Sequence, residues 1–286
     1  MLDVLRINLC SPLTLSFALG VFARLVRSEL ALPRDLYTAL SIYLLFALGL
    51  KGGVELSHSS LASISGPAFV TILLGCLTPV SAYLVLRRLG KFSIADSAGI
   101  AAHYGSVSAV TFIAAQQFTT SVGAPAEGFM HELLTSRSML LLVGGLVIGT
   151  SVGETGWKPV QPVFEGLFKG LLTIFLLEMG LAAGSRLGDL KQAGFFLLAF
   201  GIVMPIIHGT LGAWLGSLAG LSVGGCTVLA TMAASASYIA APPAVRMTLP
   251  EANPTFYLTA ALAITFPFNL LAGIPIYYEI SKRLCQ

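Results

Sequence analysis

Apolar residues run along this chain in long blocks. They neither alternate with the period of a half-buried strand nor carry the charged face of a soluble amphipathic helix. A helix that crosses a bilayer needs about 20 mostly apolar residues, and the blocks are on that scale. The first runs from about residue 12 to 26 and stops at Arg24, Arg27 and Arg34. Others cover residues 35–50, 67–86, 94–118, 133–150, 163–183, 193–218, 223–241 and 255–280, with Lys282 and Arg283 after the last. The pattern predicts an all-α integral membrane protein of about nine to ten spans. No linker is long enough to hold a soluble domain.

Two blocks depart from the pattern. Residues 98–112 open like a membrane helix, then place Gly105, Ser106, Ser108 and Thr111 where lipid-facing leucines are expected. Residues 227–241 echo them with Ser235 and Ser237, followed by Pro242 and Pro243. Subtracting 129 from Ser235 and Ser237 gives Ser106 and Ser108. Other blocks repeat in the same order. Gly49 and Gly53 match Gly180 and Gly184 at an offset of 131, and Phe69 and Pro79 match Phe195 and Pro205 at 126. Leucine matches are cheap in apolar sequence, so glycine, proline and serine carry the weight. The reading is two structural repeats, residues 1–130 and 131–286, each with a broken helix. One count conflicts with an inverted arrangement, which needs an odd number of spans per repeat. The second block matches the sixth, four blocks later. Either residues 119–132 hold a re-entrant piece, or the first repeat is short of one helix.

The breaks point to chemistry. Inside hydrocarbon a helix satisfies its own backbone groups, so a Gly-Ser or Ser-x-Ser break is tolerated only where it lines a cavity. Freed N–H groups at a half-helix N-terminus suit an anion, helped by the positive end of the helix dipole. Freed carbonyls and hydroxyls suit Na⁺. Polar interrupted segments in corresponding halves mark the midplane site of a secondary transporter. The competing reading is that small residues and serines only pack helices closely and bond across them.

Composition narrows the class. The chain is 56% hydrophobic and 10% charged, with mean hydropathy +0.86. Soluble domains carry about 25% charged residues. A net charge of +3 and no basic stripe give no sign of nucleic acid. Cys10, Cys76, Cys226 and Cys285 are scattered singly, without the spacing of a zinc site or a disulfide framework. No HExxH, Walker or rhomboid-type Gly-x-Ser-Gly sequence is present, so the protein reads as a non-enzyme. The N-terminus lacks a basic n-region, so the first block reads as a retained span. Arg24, Arg27, Arg34, Arg87, Arg88 and Lys91 fall on one side of the first half, against Arg6 and Lys51 on the other. The positive-inside rule makes the first side cytoplasmic and the N-terminus external.

Other polar residues have narrower readings. Glu178 lies in a span, where a carboxylate serves either a structural hydrogen bond or ion coupling. His103 and His208 read as packed neutral side chains. Asp96 sits where a helix-capping residue is expected. Tyr104 and Tyr238 either wall a site or pack. Glu251 and Asn253 suit a helix start.

The serine stretches resemble the sodium-dependent bicarbonate transporter superfamily. So do the run Gly166-Leu-Phe-Lys-Gly through Leu187 and the run Ala233-Ala-Ser-Ala-Ser-Tyr-Ile-Ala-Ala-Pro-Pro through Pro254. The resemblance covers nearly the whole chain. It implies two inverted five-helix repeats divided into gate and core subdomains, with two broken helices crossing in the core. It also implies HCO₃⁻ and Na⁺ at that crossing, symport across the plasma (inner) membrane, a homotrimer, and a small PII-like regulatory partner. Carried over by position, the substrate site falls on Gly105, Ser106, Val107, Ser108, Ser235, Ala236 and Ser237. Na⁺ falls near Ser108, Thr111, Ser237 and Tyr238. Two departures stand out. Cyanobacterial members tend to carry an acidic residue where this chain has Tyr238. The family also has another span after the segment matching Glu127–Met130, whereas His131-Glu-Leu-Leu-Thr follows here at once. A shortened chain of this kind raises a second reading, a membrane sensor or binding protein of the same fold that does not transport.

Overall fold

The computed structural model describes residues 2–57, 61–106, 108–124, 139–238 and 241–285. Among them every regular element is helical. The chain divides into two units, one of Met1–Asn8, Gly66–Ala126 and Arg186–Gln286, the other of Leu9–Ser65 and Glu127–Ser185. By length and composition, four helical stretches can cross a bilayer: Asp35–Leu56, Ser65–Arg88, Pro162–Leu218 and Pro254–Leu284. A bent pair, Asp3–Leu9 with Pro12–Leu25, makes a fifth if it is one span. The segment around Glu127–Met130 and the expected repeat boundary at residues 130/131 lie outside the described residues.

The second unit holds α2 (Pro12–Leu25), α3 (Arg34–Leu56), α7 (Met139–Trp157) and α8 (Phe168–Arg186). Ser11 caps α2 by accepting from the Thr14 N–H, and Pro12 fills the first helical position, where no donor is needed. Glycines decide which helices pair. A Cβ added at Gly20 would collide with the Leu177 carbonyl, and one at Gly180 with the Phe17 carbonyl. A Cβ at Gly184 would meet Arg24 and Val21. The contacts advance together along both helices, so α2 and α8 run parallel. α3 and α7 meet in the same way. Gly145 sits against Phe46, Gly49 and Leu50, and Gly149 against Leu50 and Gly53. Backbones this close are how apolar helices associate where water supplies no driving force between them. Tyr37 stacks on Phe175 at 5.2 Å, and Lys51 pairs with Glu165 at 2.9 Å. Glu178 accepts from the backbone N–H of Leu32, with Arg24 nearby, so its carboxylate holds the loop between α2 and α3.

The first unit holds α1 (Leu2–Leu9), most of α4 (Leu61–Arg88), α5 (Ile94–Tyr104), α6 (Ala109–Ser121), α9 (Leu190–Leu218), α10 (Val223–Ala233), α11 (Ala241–Thr248) and α12 (Pro254–Leu284). α12 contains two π-helical segments, Thr259–Thr265 and Asn269–Gly273. Gly212 lets α9 approach the α10 backbone at Ala230, and Tyr277 packs with Ala213, Ala230 and Ala234. Large side chains such as Phe69, Ile72, Phe195 and Leu218 stay exposed, as lipid contact requires.

The cap expected at Asp96 is Ser93 instead. Ser93 accepts from the Asp96 N–H and donates to the Asp96 carboxylate, so Asp96 occupies the third helical position and is held by the cap rather than serving as it. Its other oxygen accepts from the Asn253 N–H at 2.8 Å, tying the start of α5 to the start of α12.

Candidate functional site: two broken helices

Both serine stretches are helix breaks. α5 stops at Tyr104, Gly105 ends it, and α6 starts at Ala109 with Ser108 as its cap: the Ser108 hydroxyl accepts from the Thr111 N–H at 3.3 Å. α10 stops at Ala233, an irregular stretch carries Ser235 to Ser237, and α11 starts at Ala241. Pro242 and Pro243 fall in the first turn of α11, where a missing N–H costs nothing. Gly105 has a local reason: a Cβ there would lie 2.8 Å from the Pro79 ring.

The two breaks touch. The Ser237 N–H donates to the His103 carbonyl at 2.8 Å. The Ser108 N–H donates to the Ser235 hydroxyl at 3.1 Å, and that hydroxyl donates to the Met232 carbonyl at 2.8 Å. Subtracting 129 from Ser237 gives Ser108, and adding 129 to His103 gives Met232. One contact is therefore direct, and its counterpart passes through the hydroxyl of Ser235. Each contact sets an N–H at or near a half-helix N-terminus against the carbonyl end of the opposing half-helix, so the dipole ends are complementary.

Ser108, Thr111, Ser235, Ala236 and Ser237 are buried, as is Tyr238, whose ring meets Phe266 at 5.1 Å. Gly105 and Ser106 are half-buried. The Ser106 side chain makes no hydrogen bond among the described residues. Val107 lies outside the described residues. No charged side chain occurs in either break, and the described residues hold no cluster of His, Cys, Asp or Glu fit for a metal ion. The polar groups at the breaks are therefore backbone dipoles and hydroxyls.

Aromatic and amide groups fix the breaks. His103 is buried, its Nδ1 bonds the Gly99 carbonyl at 2.7 Å, and its ring stacks on Tyr257 at 4.7 Å. His208 is also buried, with Nε2 at 2.8 Å from the Ser81 hydroxyl. The Tyr104 hydroxyl bonds Thr265 at 2.6 Å, and Thr265 donates to the Gly201 carbonyl at 2.8 Å. Tyr104 thus packs, and α12 holds α5.

Asn269 was not singled out from sequence. Its amide donates to the Ala234 carbonyl at 2.8 Å, at the frayed end of α10, and its oxygen accepts from the Tyr277 hydroxyl at 2.9 Å. The available signal was an amide inside the apolar run Thr265-Phe-Pro-Phe-Asn, a position that is expensive in a membrane unless it has a task.

Comparison with known families places a match over this architecture. The family model described as the Na⁺-dependent bicarbonate transporter superfamily matches residues 12–134 and 129–282. A search of curated proteins finds no match.

Proposed function

This chain belongs to the Na⁺-dependent bicarbonate transporter superfamily, and we propose that it is a secondary active transporter that couples Na⁺ entry to uptake of HCO₃⁻ or a similar small anion. The observation that carries this is the reciprocal contact of the two breaks, Ser237 with His103 and Ser108 with Ser235. A planar anion of two or three oxygens would bind Gly105, Ser106, Val107, Ser108, Ser235, Ala236 and Ser237. Na⁺ would sit beside it near Ser108, Thr111, Ser237 and Tyr238. The Ser235 oxygen at the Ser108 N–H marks a position an anion oxygen would take, so loading would displace that hydroxyl.

The repeats, on this reading, are inverted. Gly20 and Gly149 differ by 129, and Gly49 and Gly180 by 131, so the α2·α8 and α3·α7 contacts correspond. Consecutive spans α2 and α3 run oppositely, and each is parallel to its partner. α7 then runs against α2, and α8 against α3. The even count between α3 and α8 follows if the first repeat is short of one span, and the family match falling in two segments fits that. The unit with both breaks is the core, and the unit of α2, α3, α7 and α8 the gate. A multi-pass protein in the plasma (inner) membrane, an external N-terminus, a homotrimer and a PII-like regulator rest on the resemblance and the charge bias.

Joint binding tests the site. Na⁺ and bicarbonate added together are expected to raise the Tm of the purified protein more than either alone, because each ligand stabilises the form it binds. The same rise in Ser237→Ala would contradict the assignment. A sensor that does not transport is the second reading, favoured by the shortened first repeat. It predicts that rise without accumulation in vesicles.

A further inference from the structure

Pro275 interrupts the hydrogen bonding of α12. In the π-helical segment Asn269–Gly273 the Asn269 carbonyl accepts from the Ile274 N–H, five residues on. Continued by one residue, that spacing gives Leu270 the N–H of position 275. Ordinary α-helical spacing gives the same position to Leu271. Proline has no N–H, so neither carbonyl finds a donor there. Both lie near the middle of the span Pro254–Leu284, where hydrocarbon supplies none.

The donor comes from α1. The side-chain amide of Asn8 donates to the Leu270 carbonyl at 2.7 Å and to the Leu271 carbonyl at 3.1 Å. Asn8 is buried. Two hydrogens on one nitrogen answer the two carbonyls that Pro275 leaves open.

The residue just before those carbonyls is Asn269. Its amide donates to the Ala234 carbonyl at the end of α10, and its oxygen accepts from the Tyr277 hydroxyl. Gly273, one turn on, leaves room for it: a Cβ there would lie 2.6 Å from the Asn269 oxygen. The pitch of this segment sets where the Asn269 amide points. Whatever holds the carbonyls of Leu270 and Leu271 therefore also holds the second break.

We propose that Asn8 is a positioning residue for the second break. Its amide replaces the N–H that Pro275 lacks, fixes the π-helical turn and so aims Asn269 at Ala234. The consequence for anion binding rests on the function proposed above; the contact itself does not.

Restoring the missing donor tests this. Asn8→Ala strands buried carbonyls, and the Tm of the ligand-free protein should fall by about 2–6 °C. Pro275→Ala returns an N–H to the helix. The double variant should recover most of that loss, with the Asn8 amide still absent. Where Asn8→Ala is too unstable to melt, recovery of folded protein on adding Pro275→Ala is the same result. No recovery overturns the proposal, because α1 would then matter only by packing. Asn8→Ala combined with Asn269→Leu should cost less than the two single losses added; strict additivity overturns the link to the break. At saturating Na⁺, the bicarbonate concentration that gives half of the Tm rise should shift upward in Asn8→Ala and return when Pro275→Ala is added. An unchanged midpoint with a lowered Tm marks a structural tie and overturns the positioning role. If the wild-type protein shows no bicarbonate-dependent rise, the transporter reading fails, while the ligand-free comparisons still decide the role of Asn8.

Discussion

The backbone N–H of Ser237 donates to the carbonyl of His103, 2.8 Å away and 134 residues earlier in the chain. The bond joins the second helix break to the last turn before the first. Because the donor is backbone, a substitution at Ser237 can remove the hydroxyl without opening the crossing. Ser237→Ala is expected to reach the membrane at wild-type levels and to lower anion uptake. Wild-type uptake kinetics in that variant would remove Ser237 from the site.

Ser235 differs, because its hydroxyl relays the Ser108 N–H to the Met232 carbonyl. Ser235→Ala leaves the buried Ser108 N–H without its acceptor, a loss of about 1–3 kcal/mol, while the Met232 carbonyl keeps the bond from the backbone N–H of residue 235. Thermal unfolding should show a lower Tm for Ser235→Ala, with Ser235→Thr near wild type. Equal melting of alanine and wild type would mean the relay carries no energy.

Asn269 is expected to matter for the same reason from the other side. Asn269→Leu abandons the Ala234 carbonyl and the Tyr277 hydroxyl together. The expected cost is about 1–3 kcal/mol per buried group, with uptake lost in step. Tyr277→Phe should fall between wild type and Asn269→Leu on the same Tm scale. A neutral Asn269→Leu would separate the amide from the crossing.

Gly149 and Gly144 lie on one helix and should behave oppositely. A Cβ at Gly149 collides with the Leu50 carbonyl, whereas one at Gly144 meets nothing within 4 Å. Gly149→Ala should destabilise by about 1–3 kcal/mol, the usual cost of overpacking, and Gly144→Ala should be neutral. Unfolding in a graded denaturing detergent reads the difference. Equal effects would contradict the α3·α7 contact.

The parallel pairing also sets a topology. Ser57 follows the end of α3, and Gly153, with positive φ, ends the part of α7 that runs beside it, so cysteines placed at Ser57 and Glu154 should label from the same membrane face. The positive-inside expectation for Arg24 and Arg27 predicts that this face is external. Labelling from opposite faces would contradict the pairing.

The two helix breaks were legible because their signal is local. Gly105, Ser106 and Ser108 are wrong for a lipid-facing helix, and so are Ser235 and Ser237; no partner is needed to see it. The start of α2 at Ser11-Pro12 was equally local. What remained hidden depends on distant contacts. The tie from Asn269 to Ala234 links residues 35 apart, and periodicity carries no such information. Asp96 reads as a cap because its type fits, yet Ser93, three residues earlier, takes that role and leaves Asp96 to reach Asn253. The closeness of Gly20 to Gly180 was invisible for a related reason. Glycine is common in apolar sequence, and only the crossing shows which copies a side chain would block.

The most direct test is uptake of radiolabelled bicarbonate into proteoliposomes, at a pH where HCO₃⁻ dominates, with an inward Na⁺ gradient or with K⁺ in its place. The account predicts accumulation above equilibrium with Na⁺, none with K⁺, and a sharp loss in Ser237→Ala. Folded protein that binds bicarbonate but accumulates none under the Na⁺ gradient would contradict it.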